Sequence, residues 1–225
     1  ESVLAKLNPG GFHHSKQSLR VVETLEYGGK GLNLTAEVLD GIRRHSKGLG
    51  KLADVRANAP ATTLEAEVVR LCDCVAYANH DLDDALRAGF VRLEEIPAEV
   101  IATLGDRFSR RINTLVLDIV HASAGRPAVG LSPRIEAGLE VLRAFLVERV
   151  YTSPQLLEHF GRAKNLLELL HRFYLEHPGE VPAEQGAAGA APAQRVCDYL
   201  AGMTDRFALA QFQKHLVPHP WGDEE

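Results

Sequence analysis

The chain of 225 residues carries a net charge of −5, with 45% hydrophobic and 24% charged residues. This composition is ordinary for a soluble globular protein with a real core, and the acidic balance excludes a broadly basic nucleic-acid surface while leaving room for a local phosphate pocket. No apolar run approaches the roughly 20 residues that span a bilayer and no signal peptide opens the chain, so a cytoplasmic protein without a membrane partner is expected.

In chain order, the opening ESVLAKLNPGG lacks Met and reads as the end of a longer chain's helix, stopped at Pro9-Gly10-Gly11. Ser15 is in position to cap a helix that runs to Tyr27 and stops at Gly28-Gly29. Thr35 opens the next, through AEVLDGIRRH to the Gly/Lys-rich segment 47–51; residues 53–62 are loop-like. Thr63 caps a long helix closed by Gly89, with room for a bend near His80. Further helical patterns follow Pro97, then cover 107–123, 133–150 and 154–176. Residues 179–194, small and Pro-containing, predict a mobile surface loop. A final helix pair spans RVCDYLAGMTDRFALAQFQKHL before a short tail. No alternating strand interrupts the series, so the expectation is an all-α fold of eight or nine helices.

The long helix carries the densest chemistry, CDCVAYANHDLDDAL at 72–86. At 100° per residue Leu64, Val68, Leu71, Val75 and Ala78 form one stripe, widened by Val69, Cys72 and Ala76, and that stripe is the expected core face. Asp73, Tyr77, His80 and Asp84 fall within about 60° of one another, which suggests a border face able to line a polar cleft. Asp73 lies mid-helix among apolar residues, where an unpaired carboxylate is costly and a cation would stabilise it. His80 and Asp81 point about 100° apart, so the doublet alone makes no metal site, and Asp81 is expected more peripheral than Asp73. The bland alternative is a solvated face with Asp73 salt-bridged.

Cys72 and Cys74 lie about 200° apart on a helix and cannot share a ligand there; with Cys197 they make an odd count, read as reduced structural thiols. Glu168-x-x-His171 looks like half of a di-iron motif, but no second copy exists, so a packing helix with a solvated Glu168 is expected. Phe160, Phe173 and Tyr174 read as core or interface residues.

Four segments in order, GGFHHSKQSLRVVETLE, GLNLTAEVLDGIRRHS, LEAEVVRLCDCVAYANHDLDDALRAG and VCDYLAGMTDRFA, resemble the bacterial deoxyguanosine-triphosphate triphosphohydrolases of the HD superfamily. The likeness runs from the first residue to about Phe212. It implies an all-α HD-domain phosphohydrolase that splits a dNTP, with dGTP plausible, into deoxynucleoside and triphosphate, using Mn2+ or Mg2+. Residues 1–89 would be the C-terminal portion of the HD catalytic core and 90–225 a helical region completing the same domain. The family binds metal through a His, a His-Asp doublet and a distant Asp lying four residues before the Tyr of a Tyr-x-x-His-Asp segment. Here that ligand is Asp73, and the implied nucleotide contacts are Tyr77 and Asp81.

The same resemblance assigns Glu1 to the end of a His-x-x-Glu motif and His14 to an active-site His beside the scissile phosphate; both are catalytic candidates. His13 stands where many relatives carry Glu. Arg44 is a looser phosphate candidate. The upstream ligands are absent from these residues, so the chain alone is expected to bind metal weakly and turn over no dNTP. A homo-oligomer is expected. The rival reading is an HD-like nucleotide-binding or assembly module without hydrolysis, separated from the enzyme by whether the upstream motifs precede residue 1.

Overall fold

The structure, a computed structural model, describes residues 1–45, 61–182 and 189–218. The expected loop segments within 46–60 and 183–188, and the tail from 219, lie outside the described residues. Among the described residues every regular element is helical, and none is long and apolar enough to cross a membrane. The helices are α1 (Ser2–Leu7), α2 (His14–Arg20), α3 (Ala36–Arg44), α4 (Leu64–Arg87), α5 (Ala98–Thr103), α6 (Phe108–Ser123), α7 (Pro133–Leu146), α8 (Pro154–Glu176), α9 (Pro192–Ala201) and α10 (Asp205–Leu216).

Local signals set most boundaries. Thr35, Thr63 and Thr204 cap α3, α4 and α10, each side chain accepting a backbone N–H of the first turn. At α2 the expectation is corrected: Ser15 is inside the helix and buried, and the cap is His13, whose ring Nδ1 accepts the Ser15 N–H at 3.3 Å. The expected continuous helix to Tyr27 also differs. After Arg20 the chain widens into a π turn, Val21–Leu25, and Tyr27 and Gly28 take left-handed conformations (φ 53° and 64°). Gly31 finishes this reversal at φ +72°, where a Cβ would collide with the Glu23 carbonyl; no L side chain fits there. No bend occurs at His80, because α4 is one uninterrupted helix.

The chain forms two compact units, one from Glu1–Leu34 with Glu158–Glu225, the other from Thr35–Leu157. In the second, α4 contributes Leu71, Cys74, Val75, Ala78, Leu82 and Ala85 to a core completed by residues such as Val100, Leu104, Leu115, Leu139, Leu142 and Leu146. Each fully buried Leu of this kind stabilises by about 1.5–3 kcal/mol relative to exposure. The packing is tight enough that a Cβ at Gly138 of α7 would overlap Thr103 of α5. In the first unit, Leu4, Leu170, Tyr174, Val181, Val196, Cys197 and Leu200 form the core, with Phe173 and Phe212 packed against it. Burial pushes the Cys197 thiol up to about 11, consistent with an inert structural cysteine.

The core stripe of α4 is rotated and shifted from the expected one. Leu71, Val75 and Ala78 are buried, but Leu64, Val68 and Val69 are 47%, 42% and 54% exposed, and Cys72 and Ala76 are exposed as well. The buried set repeats from Leu71 through Leu82 to Ala85 with Cys74 between, so the first two turns of the helix contribute little to the core.

Candidate functional site

The chemistry-bearing residues fall into one constellation in each unit. In the second unit, Asp73, Tyr77, His80 and Asp84 share the exposed face of α4, as the helical spacing requires. Their depth is the reverse of the expectation for Asp73 and Asp81. The centre of the buried stripe lies about 150° from Asp73 and about 70° from Asp81 at 100° per residue. Asp73 is therefore exposed, and Asp81 is the half-buried carboxylate.

Asp81 accepts a short hydrogen bond from the Tyr151 hydroxyl. Burial raises the Asp81 pKa, with repulsion from Asp84 adding to it; the Tyr151 bond and His80 act in the opposite direction. The Tyr151 phenol is in turn pushed well up by burial and then by the Asp81 carboxylate, so it remains a donor. Tyr77, 59% exposed, sits with its ring 6.5 Å from that of Tyr151, and burial followed by Asp81 and Asp73 raises its pKa. The result is a two-tyrosine, one-carboxylate surface, with a phenol donor and a carboxylate acceptor held together. His80 does not join it; its ring lies 5.0 Å from Phe108. Asp84 pairs with Arg87.

Tyr151 was not legible as a site residue. It is delivered by a π turn, Val147–Tyr151, that ends α7, and such turns re-aim a side chain by one position. Arg44 lies on α3 with its Nε on both Asp40 oxygens, at 2.8 and 3.0 Å, and Thr62 donates to the same carboxylate. A phosphate reaching Arg44 would have to share it with Asp40.

In the first unit, Glu1 Oε2 lies 2.7 Å from His14 Nδ1. That bond, opposed by desolvation and reinforced by the neighbouring His14 and His13 rings, holds the Glu1 carboxyl below its usual range. The His13 and His14 rings stack at 4.8 Å, and Glu1, His13 and His14 bring one potential ligand atom each within 4.8 Å of the others. The donor chemistry disfavours a cation there. His13 Nδ1 already accepts the Ser15 N–H, which leaves the ring proton on Nε2, so neither nitrogen is a ready lone pair. Asp73 belongs to no group of three converging donors among the described residues. A cation on Asp73 would need ligands beyond those residues.

Asp198 in VCDYL, and not Asp73, is the carboxylate buried amid apolar helix residues. Its side chain is 1% exposed and receives Arg20 through Nε (2.8 Å) and Nη2 (2.7 Å), Gln17 (3.0 Å) and Gln194 (2.9 Å). Desolvation resists its ionisation, but these donors outweigh it and lower the pKa. The second unit buries Arg111 instead, whose Nε donates to Asn79 at 3.0 Å while Asn79 donates to the Val75 carbonyl at 2.7 Å.

The family described as phosphohydrolase-associated domain matches residues 129–214. Curated relatives align over nearly the whole chain. The deoxyguanosinetriphosphate triphosphohydrolase-like protein of Caldanaerobacter subterraneus subsp. tengcongensis is 42% identical over all of this chain and 64% of its own length. That of Desulfatibacillum aliphaticivorans is 42% identical over 98% of this chain and 66% of its own length. That of Geobacter metallireducens is 31% identical, with 97% and 69% covered. The chain belongs to the family of deoxyguanosinetriphosphate triphosphohydrolase-like proteins. It spans just under two thirds of the length of the two 42%-identical relatives.

Proposed function

We propose that this chain is part of a metal-dependent dNTP triphosphohydrolase, with dGTP a plausible substrate, that releases deoxynucleoside and inorganic triphosphate. The observation that carries the reading is the family membership across the whole chain, with Glu1 and His14, two residues singled out by resemblance, found hydrogen-bonded at 2.7 Å. A cytoplasmic setting and a homo-oligomer belong to the same proposal.

Water attacks the α-phosphorus, the bond from phosphorus to the 5′-oxygen breaks, and that oxygen takes a proton. Glu1 accepts a hydrogen bond from His14 Nδ1–H, which fixes the tautomer and makes Nε2 the basic nitrogen that takes a proton from water. The protonated ring can then return that proton to the leaving 5′-oxygen. Glu1 stays ionised throughout, because the His14 bond depresses its pKa. Tyr77 and Asp81 are proposed as nucleotide-positioning residues, as the resemblance implies. Arg44 is proposed for phosphate contact in exchange for part of its hold on Asp40. A Mn2+ or Mg2+ ion with Asp73 as one ligand would supply charge stabilisation at a phosphoryl oxygen.

Triphosphate release from dGTP with Mn2+ tests the reading. This chain by itself is expected to give no turnover, since Asp73 belongs to no group of three converging ligand donors among the described residues. In a protein that turns over dGTP, Asp73→Ala should abolish turnover and leave helix content unchanged, and Glu1→Gln should lower kcat by about 100-fold or more. Full activity of Asp73→Ala would refute the ligand assignment.

A further inference from the structure

The first unit holds a cavity of about 420 Å3 that the proposed chemistry does not use. That volume lies in the range of small-ligand sites, roughly 300–1,000 Å3. Its lining includes His13, Lys16 and Arg20 and the amides of Asn8, Gln17 and Gln194, and no lining residue is acidic.

The polar groups around it are sorted by what already holds them. Gln17 and Gln194 donate to Asp198, and Asn8 donates to Gln194 at 3.1 Å and to the Gly11 carbonyl at 2.9 Å. The amide NH2 groups are therefore engaged, and they brace the wall. Arg20 gives Nε and Nη2 to Asp198, leaving Nη1. Asp198 cancels the charge of Arg20, so it does not cancel that of Lys16, which makes no ion pair among the described residues. His13 spends Nδ1 as an acceptor from Ser15, which makes Nε2 an N–H donor. Glu1 Oε1 lies 4.0 Å from that nitrogen, beyond hydrogen-bond reach, and the other Glu1 oxygen is taken by His14. What remains is a cleft with donors on three side chains, one uncancelled positive charge and no acidic lining residue. Such a set suits an oxyanion.

We propose that this cleft binds a phosphate-class oxyanion, held by the Lys16 ammonium and by N–H groups of His13 and Arg20, without a divalent metal. The volume admits a chain of phosphates. The shared chemistry is the tetrahedral phosphate group, whether free, in a polyphosphate or on a nucleotide.

Titration calorimetry of this chain in EDTA tests it, with inorganic phosphate, inorganic triphosphate, a deoxynucleoside monophosphate and the bare deoxynucleoside as probes. Triphosphate should bind more tightly than phosphate, the monophosphate should resemble phosphate, and the deoxynucleoside should not bind. Lys16→Glu should weaken triphosphate binding at least about tenfold. His13→Asp keeps the helix cap and should weaken binding about threefold or more, with helix content unchanged. Lys164→Glu changes net charge equally at another exposed lysine and should leave affinity within about twofold. Binding untouched by Lys16→Glu, equal loss in Lys164→Glu, or binding of the bare deoxynucleoside would each overturn the proposal. Because no metal is present, none of these results depends on the hydrolase reading.

Discussion

Asp198 in the first unit and Arg111 in the second are both almost fully buried charges, 4% and 1% exposed, and the surroundings treat them differently. Asp198 has an arginine and two amides on its oxygens. Arg111 has Asn79 and, at 3.3 Å, the Asp106 carbonyl, and its Nη2 finds no partner among the described residues. Burial lowers the Arg111 pKa, and Asp83 and Asp106 counter it only from a distance. A buried charge facing an opposite charge is costly to orphan, whereas one held by neutral dipoles is closer to replaceable by an apolar side chain of similar size.

Substitutions should expose that contrast. Asp198→Ala removes the acceptor of Arg20, Gln17 and Gln194 together and should cost about 3–5 kcal/mol in denaturant unfolding, at the lower end if Arg20 turns to solvent. Asn79→Ala strips Arg111 of its best acceptor and should cost about 2 kcal/mol. Arg111→Met combined with Asn79→Leu removes the pair and should fall within about 1 kcal/mol of the parent. A loss from that double change as large as from Asp198→Ala would break the comparison.

The smallest expected effect is a pH dependence in the first unit. His171 is buried, its Nε2 has no partner among the described residues, and desolvation lowers its pKa. The unfolded state therefore binds this proton more readily than the folded state, so stability falls as pH drops from about 7 towards 5. Glu1 and Asp198, with lowered pKa values, lose their contributions only at more acidic pH. His171→Leu should flatten the curve between pH 7 and 5 in thermal unfolding; an unchanged slope would show that His171 is not its source.

Asp198 and Asp73 also show how far residue spacing reaches. Both are carboxylates flanked by apolar residues in a helix, and the pattern alone does not tell them apart. Asp198 is buried because Arg20, 178 positions away in sequence, comes to meet it. Asp73 is exposed because the core stripe of α4 is centred on the opposite side of the helix. Leu64, Val68 and Val69 belong to the same lesson, since periodicity marks an apolar face whether or not anything packs on it.

The all-α class, the caps at Thr35, Thr63 and Thr204, the stop at Gly89 and the common face of Asp73, Tyr77, His80 and Asp84 were legible in the sequence, because capping and the 3.6-residue repeat are local. Glu1 and His14 were each named by resemblance, and the structure brings them together at 2.7 Å. Only the tertiary structure decided that Tyr151 reaches Asp81, that Arg20 meets Asp198, that Asn79 holds Arg111, and that His13 rather than Ser15 caps α2. Three of these join positions at least 32 residues apart, and the fourth turns on one ring orientation. Helical periodicity says which residues share a face; it does not say which distant residue that face will meet.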